Sequence, residues 1–184
     1  VLCDLDGVVW LARQAIPGSP EAVARMRAAG WRVLFVTTNS AVVVAEQERA
    51  LLDIGIPAEG DVLTSAMAAA RLVPPGKRAA VCGGPGIVEA LERQGVDVVA
   101  DGPVDAVFVG FTRQFDYEMM RWASDLVRRG ARLIGTNDDA TYPTPDGLTP
   151  GGGAILAAVR TAAGVEPVVA GKPHRPMAAL VGEV

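Results

Sequence analysis

The chain has 184 residues, 21 acidic against 17 basic side chains and a formal charge of −4. Its Lys and Arg residues are scattered, never more than two together, which excludes the basic patch that nucleic acid or an anionic membrane surface demands, and its half-apolar composition excludes a disordered chain. Cys3 and Cys82 are too few for a disulfide framework and no apolar run reaches the roughly 20 residues that span a bilayer, so the expectation is a soluble, cytoplasmic protein with a small-molecule partner.

Val1–Leu5 reads as an apolar strand that delivers Asp4 and Asp6 to one face, since residues two apart in a strand point the same way. Burying two carboxylates for structure alone is costly, because each must shed water and they repel each other unless a cation intervenes. The pair therefore points to chemistry. Ser19-Pro20-Glu21 starts a helix that stops at Gly30, and Trp31–Val36 is a second strand ending at Thr37-Thr38-Asn39-Ser40. A helix over Ala45–Ile54 stops at Gly55, and Thr64-Ser65 opens a third, Ala-rich one.

At Val73-Pro74-Pro75-Gly76 the chain turns, and a second set of elements follows. Strands are expected at Lys77–Cys82, Val96–Val99, Ala106–Val109 and Ala131–Gly135, and helices at Gly86–Gln94, Asp116–Arg129 and Gly153–Ala163. Pro167–Ala170 reads as a short buried strand ending at Gly171-Lys172-Pro173, and Arg175–Val184 as a helix barely begun. With Val rather than Met at its start, the sequence reads as a piece of a longer chain. The alternation predicts an α/β fold with a largely parallel, doubly covered sheet.

Three strand ends are thus expected to deliver Asp4 with Asp6, Thr37, and Lys172, and open parallel sheets bind ligands outside the carboxyl ends of their strands. Carboxylates, a hydroxyl and an ammonium converging there suit phosphoryl transfer, with a divalent cation to let an anionic nucleophile approach an anionic phosphate. A glycosyltransferase-type Asp-x-Asp metal site is the main rival, but it requires neither Thr37 nor Lys172. Gly84-Pro85-Gly86 is no dinucleotide fingerprint, because Glu89 stands where its third Gly belongs. Gly151-Gly152-Gly153 reads as a structural turn, His174 as a solvated loop histidine, and Met119, Met120 and Trp122 as packing residues.

The segments Asp4-Leu5-Asp6-Gly7-Val8, Phe35 through Ser40, and Val169-Ala170-Gly171-Lys172-Pro173 resemble the first three motifs of the haloacid dehalogenase superfamily. Thr64-Ser65-Ala66-Met67, Gly135-Thr136-Asn137-Asp138-Asp139 and Pro150-Gly151-Gly152-Gly153 are similar to its class IIA branch, the NagD-like and para-nitrophenylphosphatase-like proteins. The resemblance covers essentially the whole chain. It implies a Rossmannoid parallel-sheet core, interrupted by an inserted α/β cap of the C2 type: core at residues 1–73, cap at 74–165, core again at 166–184, with the C-terminal part of the core missing from this chain.

The resemblance also implies roles. Asp4 attacks phosphorus to form an aspartyl-phosphate; Asp6 protonates the leaving alkoxide and later deprotonates water; Lys172 neutralises charge; Thr37 donates to a phosphoryl oxygen. Magnesium is held by the Asp4 carboxylate and the Asp6 backbone carbonyl. Gly7, Thr38, Asn39, Asn137 and Asp139 are the implied substrate-binding residues, the last two from the cap. Thr38 replaces the family's usual Asn, and Ala41-Val42 a polar pair. The fourth motif, with its further metal-ligand carboxylate, is absent, which reads as truncation. The implied activity is magnesium-dependent hydrolysis of a small phosphorylated metabolite, in a protein assembling through its cap into a homo-oligomer. The alternatives are a non-catalytic module that binds phosphorylated ligands and a phosphotransferase of the same superfamily.

Overall fold

The central strands of the two parallel sheets form where apolar runs are covered on both faces. The computed structural model describes residues 1–184. Its first layer is built from β1 (Leu2–Cys3), the hairpin β2 (Trp10–Leu11) and β3 (Gln14–Ala15), α1 (Ser19–Ala28), β4 (Leu34–Thr37), α2 (Val44–Asp53), β5 (Val62–Thr64) and α3 (Ser65–Ala70). The three parallel strands run in the order β1-β4-β5, with Cys3 opposite Phe35 and Phe35 opposite Val62. All four residues of the central strand β4 are buried, as a parallel strand between two covering layers requires. Leu5, Val9, Val23, Phe35, Leu51 and Ile56 pack together in the core beneath α1 and α2.

The second layer comprises β6 (Arg78–Cys82), α4 (Pro85–Arg93), β7 (Asp97–Val98), β8 (Ala106–Val109), α5 (Tyr117–Arg128), β9 (Arg132–Gly135), the hairpin β10 (Thr141–Thr144) and β11 (Gly147–Pro150), α6 (Gly152–Ala163) and β12 (Val168–Val169). α7 (Arg175–Gly182) follows. Its sheet is parallel throughout, ordered β12-β9-β8-β6-β7. The two-residue period of a strand sorts its side chains between two cores. Ala106 and Phe108 join one cluster, with Ile87, Leu91, Met177 and Leu180. Val107 and Val109 join the other, with Leu126, Leu133, Leu156 and Val159. The first of these clusters also contains Leu34, Val36, Leu63 and the alanines of α3, so one apolar core joins the two sheets. No helix is long and apolar enough to cross a membrane.

Four features depart from expectation. The first strand stops at Cys3, because the amides of Val8, Val9 and Trp10 all turn back onto the Leu5 carbonyl. Asp4 and Asp6 therefore lie in an exposed turn rather than a buried strand. Pro167–Ala170 was expected to end in the same sheet as Thr37, yet β12 pairs with β9, placing Val168 opposite Ile134. As an edge strand it has one neighbour, and Val168 is 42% exposed rather than buried. The five-stranded sheet thus includes Val168 and Val169, and α7 packs on α3. Finally, both hairpins fall where no strand is expected.

Candidate active site

The turn after β1 presents the two carboxylates. Gly7 has a φ of +82°, a left-handed conformation that glycine adopts without a Cβ clash, and its amide bonds the Trp10 carbonyl at 2.8 Å. Asp4 Oδ1 accepts from the Leu5 amide at 2.8 Å and pairs with Lys172 Nζ at 2.6 Å. Asp6 Oδ1 accepts from the Trp10 indole N–H at 3.0 Å. Although Asp6 keeps an exposed edge, protein packed around its carboxyl strips away water and raises its pKa above the ordinary carboxylate value. The indole N–H opposes that shift and the nearby Asp4 charge adds to it. The contacts of both carboxylates run through Oδ1, and no group of three or more His, Cys, Asp or Glu residues is placed to hold a metal ion.

Thr37 ends β4, the immediate neighbour of the strand that precedes Asp4. It is buried, and its hydroxyl accepts from the Asn39 amide at 3.0 Å, leaving its own proton free to donate. Asn39 is exposed; its Oδ1 accepts from the Ala41 amide at 3.1 Å and its carbonyl from Gln47 Nε2 at 3.1 Å. A groove of about 370 Å³ opens beside Asp4 and Lys172, lined also by Leu2, Cys3, Val36 and Met177. Burial and the Asp4 charge push the Cys3 thiol above its usual pKa, so this thiol is no nucleophile at neutral pH.

Thr38, Asn137 and Asp139, all expected to touch substrate, hold one another. Asn137 is 6% exposed and donates to the Thr38 carbonyl at 2.8 Å; the Thr38 hydroxyl donates to Asp139 Oδ2 at 2.7 Å. Ser40 and Thr136 hydroxyls meet at 2.8 Å in the same seam, and Ser65 also donates to the Thr38 carbonyl at 2.9 Å. The segment Thr136–Asp139 therefore clasps the loop that follows β4. His174, expected to be a solvated loop residue, pairs through Nε2 with Asp138 Oδ2 at 2.9 Å.

Sequence reasoning missed Trp10, Asp138 and the His174 contact. An i,i+4 indole to Asp6 has no motif, and Asp138 stands beside two residues that the family pattern made more conspicuous. The structure brings Asp4, Asp6 and Lys172 together and sets Thr37 on the adjoining strand end, although Lys172 arrives from the edge of the second sheet.

Residues 1–97 match the family described as haloacid dehalogenase-like hydrolase. The chain is 38% identical over 177 residues to an acid sugar phosphatase of Staphylococcus saprophyticus, covering 94% of this chain and 68% of that protein. It is 37% identical over 181 residues to D-glycerol 3-phosphate phosphatase of Mycobacterium tuberculosis, covering 94% of this chain and 50% of the other. The crystal structure of a Mycobacterium tuberculosis glycerol phosphate phosphatase in complex with magnesium superposes with a TM-score of 0.91 at 34% identity, over 99% of this chain and 57% of that one. The chain thus spans between half and about two-thirds of the length of these relatives.

Proposed function

This chain belongs to the haloacid dehalogenase-like hydrolases, and from that premise we propose that it serves magnesium-dependent hydrolysis of a small phosphomonoester, a sugar or polyol phosphate, through an aspartyl-phosphate. One observation carries the reading: Lys172 Nζ lies 2.6 Å from Asp4 Oδ1, with the raised-pKa carboxyl of Asp6 two residues away. The relatives' names, acid sugar phosphatase and glycerol 3-phosphate phosphatase, support the substrate class.

Asp4 attacks phosphorus through its free Oδ2, forming an O–P bond as the bond to the leaving alkoxide breaks. Asp6 delivers a proton to that alkoxide, and its raised pKa favours the protonated form this step needs. Asp6 then takes a proton from water as the water attacks phosphorus, which releases inorganic phosphate and restores Asp4. Thr37 donates its free hydroxyl proton to a phosphoryl oxygen, and Lys172 offsets charge on nucleophile and phosphate together. The Gly7 turn and the Asn39 loop bring backbone close to the phosphate.

The donor set suits magnesium, a hard cation commonly held by one or two carboxylates with waters completing its shell. The Asp4 carboxylate and the Asp6 backbone carbonyl would hold it. When bound it supplies positive charge that lets the anionic Asp4 approach the anionic ester. The second layer, from residue 74 to Val169, acts as the class IIA cap over the carboxyl edge of the first sheet.

The test is hydrolysis of para-nitrophenyl phosphate by the protein as encoded. Turnover should require magnesium and vanish in Asp4→Asn; undiminished turnover in that variant removes the nucleophile assignment.

A further inference from the structure

Lys172 has a long flexible stem, yet it reaches Asp4 from a turn anchored at both ends to one segment of the second layer. On one side, Gly171 lies so close to that segment that a Cβ there would stand 2.6 Å from the Thr136 carbonyl oxygen and 3.2 Å from Asn137 Cβ. On the other side, the His174 amide closes the turn onto the Gly171 carbonyl at 2.8 Å, and the His174 ring meets Asp138 at 2.9 Å. The same four residues, Thr136 to Asp139, hold the loop after Thr37 through Ser40 and Thr38. A single segment thus sets the separation between the Thr37 loop and the Lys172 turn.

We propose that Asp138 and His174 form a positioning pair that fixes the Lys172 ammonium on Asp4. The proposal rests on the phosphatase reading for its catalytic consequence, though not for its geometry. His174 lines the groove beside Asp4 and Lys172, but the two side chains bond each other rather than Asp4, Asp6 or Lys172, so each acts through the backbone of residues 171–174. Gly171 fixes the start of the turn and α7 its far backbone; the Asp138 contact is what ties the His174 side chain to the segment that also holds the Thr37 loop. The pair is 37% and 49% exposed, and exposed pairs add little to global stability, so the variants should fold. A misplacement of about 1 Å at a catalytic group nevertheless lowers turnover by up to about a hundredfold.

Lysine acetylation provides a readout independent of turnover. The chain has only two lysines, Lys77 and Lys172, and Lys77 pairs with Asp105 at 2.9 Å, outside the site, which makes it an internal reference. In limited acetylation followed by peptide mass spectrometry, His174→Ala and Asp138→Ala should raise the Lys172-to-Lys77 ratio at least threefold. His174→Gln, which keeps an N–H donor for Asp138, should return it close to wild type. In the protein as encoded, kcat for para-nitrophenyl phosphate should fall tenfold or more in the two alanine variants, with KM changed less than twofold, and recover in His174→Gln. An unchanged labelling ratio, or a glutamine variant labelled like the alanine one, overturns the positioning role. Wild-type protein without phosphatase activity but with the predicted labelling pattern overturns the functional reading and upholds the pair.

Discussion

Gly86→Ala discriminates between helix propensity and the packing of the two layers. Gly86 lies in the first turn of α4, where propensity alone makes alanine better by up to about 1 kcal/mol. In the structure a Cβ at this position would overlap the Val42 carbonyl and stand 2.8 Å from the Ser40 carbonyl oxygen. These are backbone atoms of the loop that leaves Thr37, and they cannot rotate away as a side chain would. Overpacking of this kind costs about 1 to 3 kcal/mol, so even with the full propensity gain set against it the net expectation is a loss of up to about 2 kcal/mol. For a chain of this length each kcal/mol moves the melting midpoint by about 2 to 4 °C. Thermal unfolding followed by circular dichroism should show Gly86→Ala melting below wild type. Gly182→Ala is the control: the residue ends α7 and a Cβ there meets nothing within 4 Å, so it should be neutral or stabilising. A Gly86→Ala midpoint at or above wild type would refute the close approach of α4 to the loop.

Leu91 on α4 is fully buried in the core shared by the sheets, so Leu91→Ala should cost about 2 to 5 kcal/mol in urea titration, whereas Leu52→Ala, at a residue 55% exposed, should stay within about 0.5 kcal/mol. Burial pushes the Cys82 thiol up to about 12, so native protein at mildly alkaline pH should resist iodoacetamide at Cys82 until denatured; the stability it contributes is present below the free thiol's ordinary pKa and lost as pH rises from there toward 12. Alkylation of native Cys82 at the rate of a free thiol would contradict its burial. The Arg78 amide first, and the Lys77 ammonium with it, hold the Asp105 carboxyl below its usual range. Its stabilising effect is complete above the unfolded pKa and disappears as pH falls through the folded one, so Asp105→Asn should be less stable than wild type at neutral pH and converge with it in acid.

The α/β class was legible because β4 and β8 are runs buried on both faces, and Asp4 with Asp6 stood out because carboxylates interrupt such a run. The hairpins were hidden for chemical reasons. The β2–β3 turn places Ala12 and Arg13 at φ of 48° and 65°, a conformation that Asn-Gly or Gly-Gly would have announced. The β10–β11 ribbon carries Pro143 and Pro150, which argue against a strand except where no further neighbour needs their amides. The sheet to which β12 belongs was not encoded locally, since two valines fit either edge. Long-range caps were equally invisible: Val43 offers no side-chain cap to α2, and Glu89 from α4 accepts the Val44 amide at 2.9 Å instead. The Asp138–His174 contact joins residues 36 positions apart, a pairing that only the second layer's topology creates.

Acid-quenched peptide mass spectrometry after mixing the encoded protein with a phosphomonoester and magnesium tests the central claim most directly, that Asp4 is poised as a nucleophile under Lys172. The account predicts one phosphoryl group on the peptide containing Asp4, absent in Asp4→Asn and reduced in Lys172→Ala. Phosphate release at full rate with that peptide never modified would contradict it.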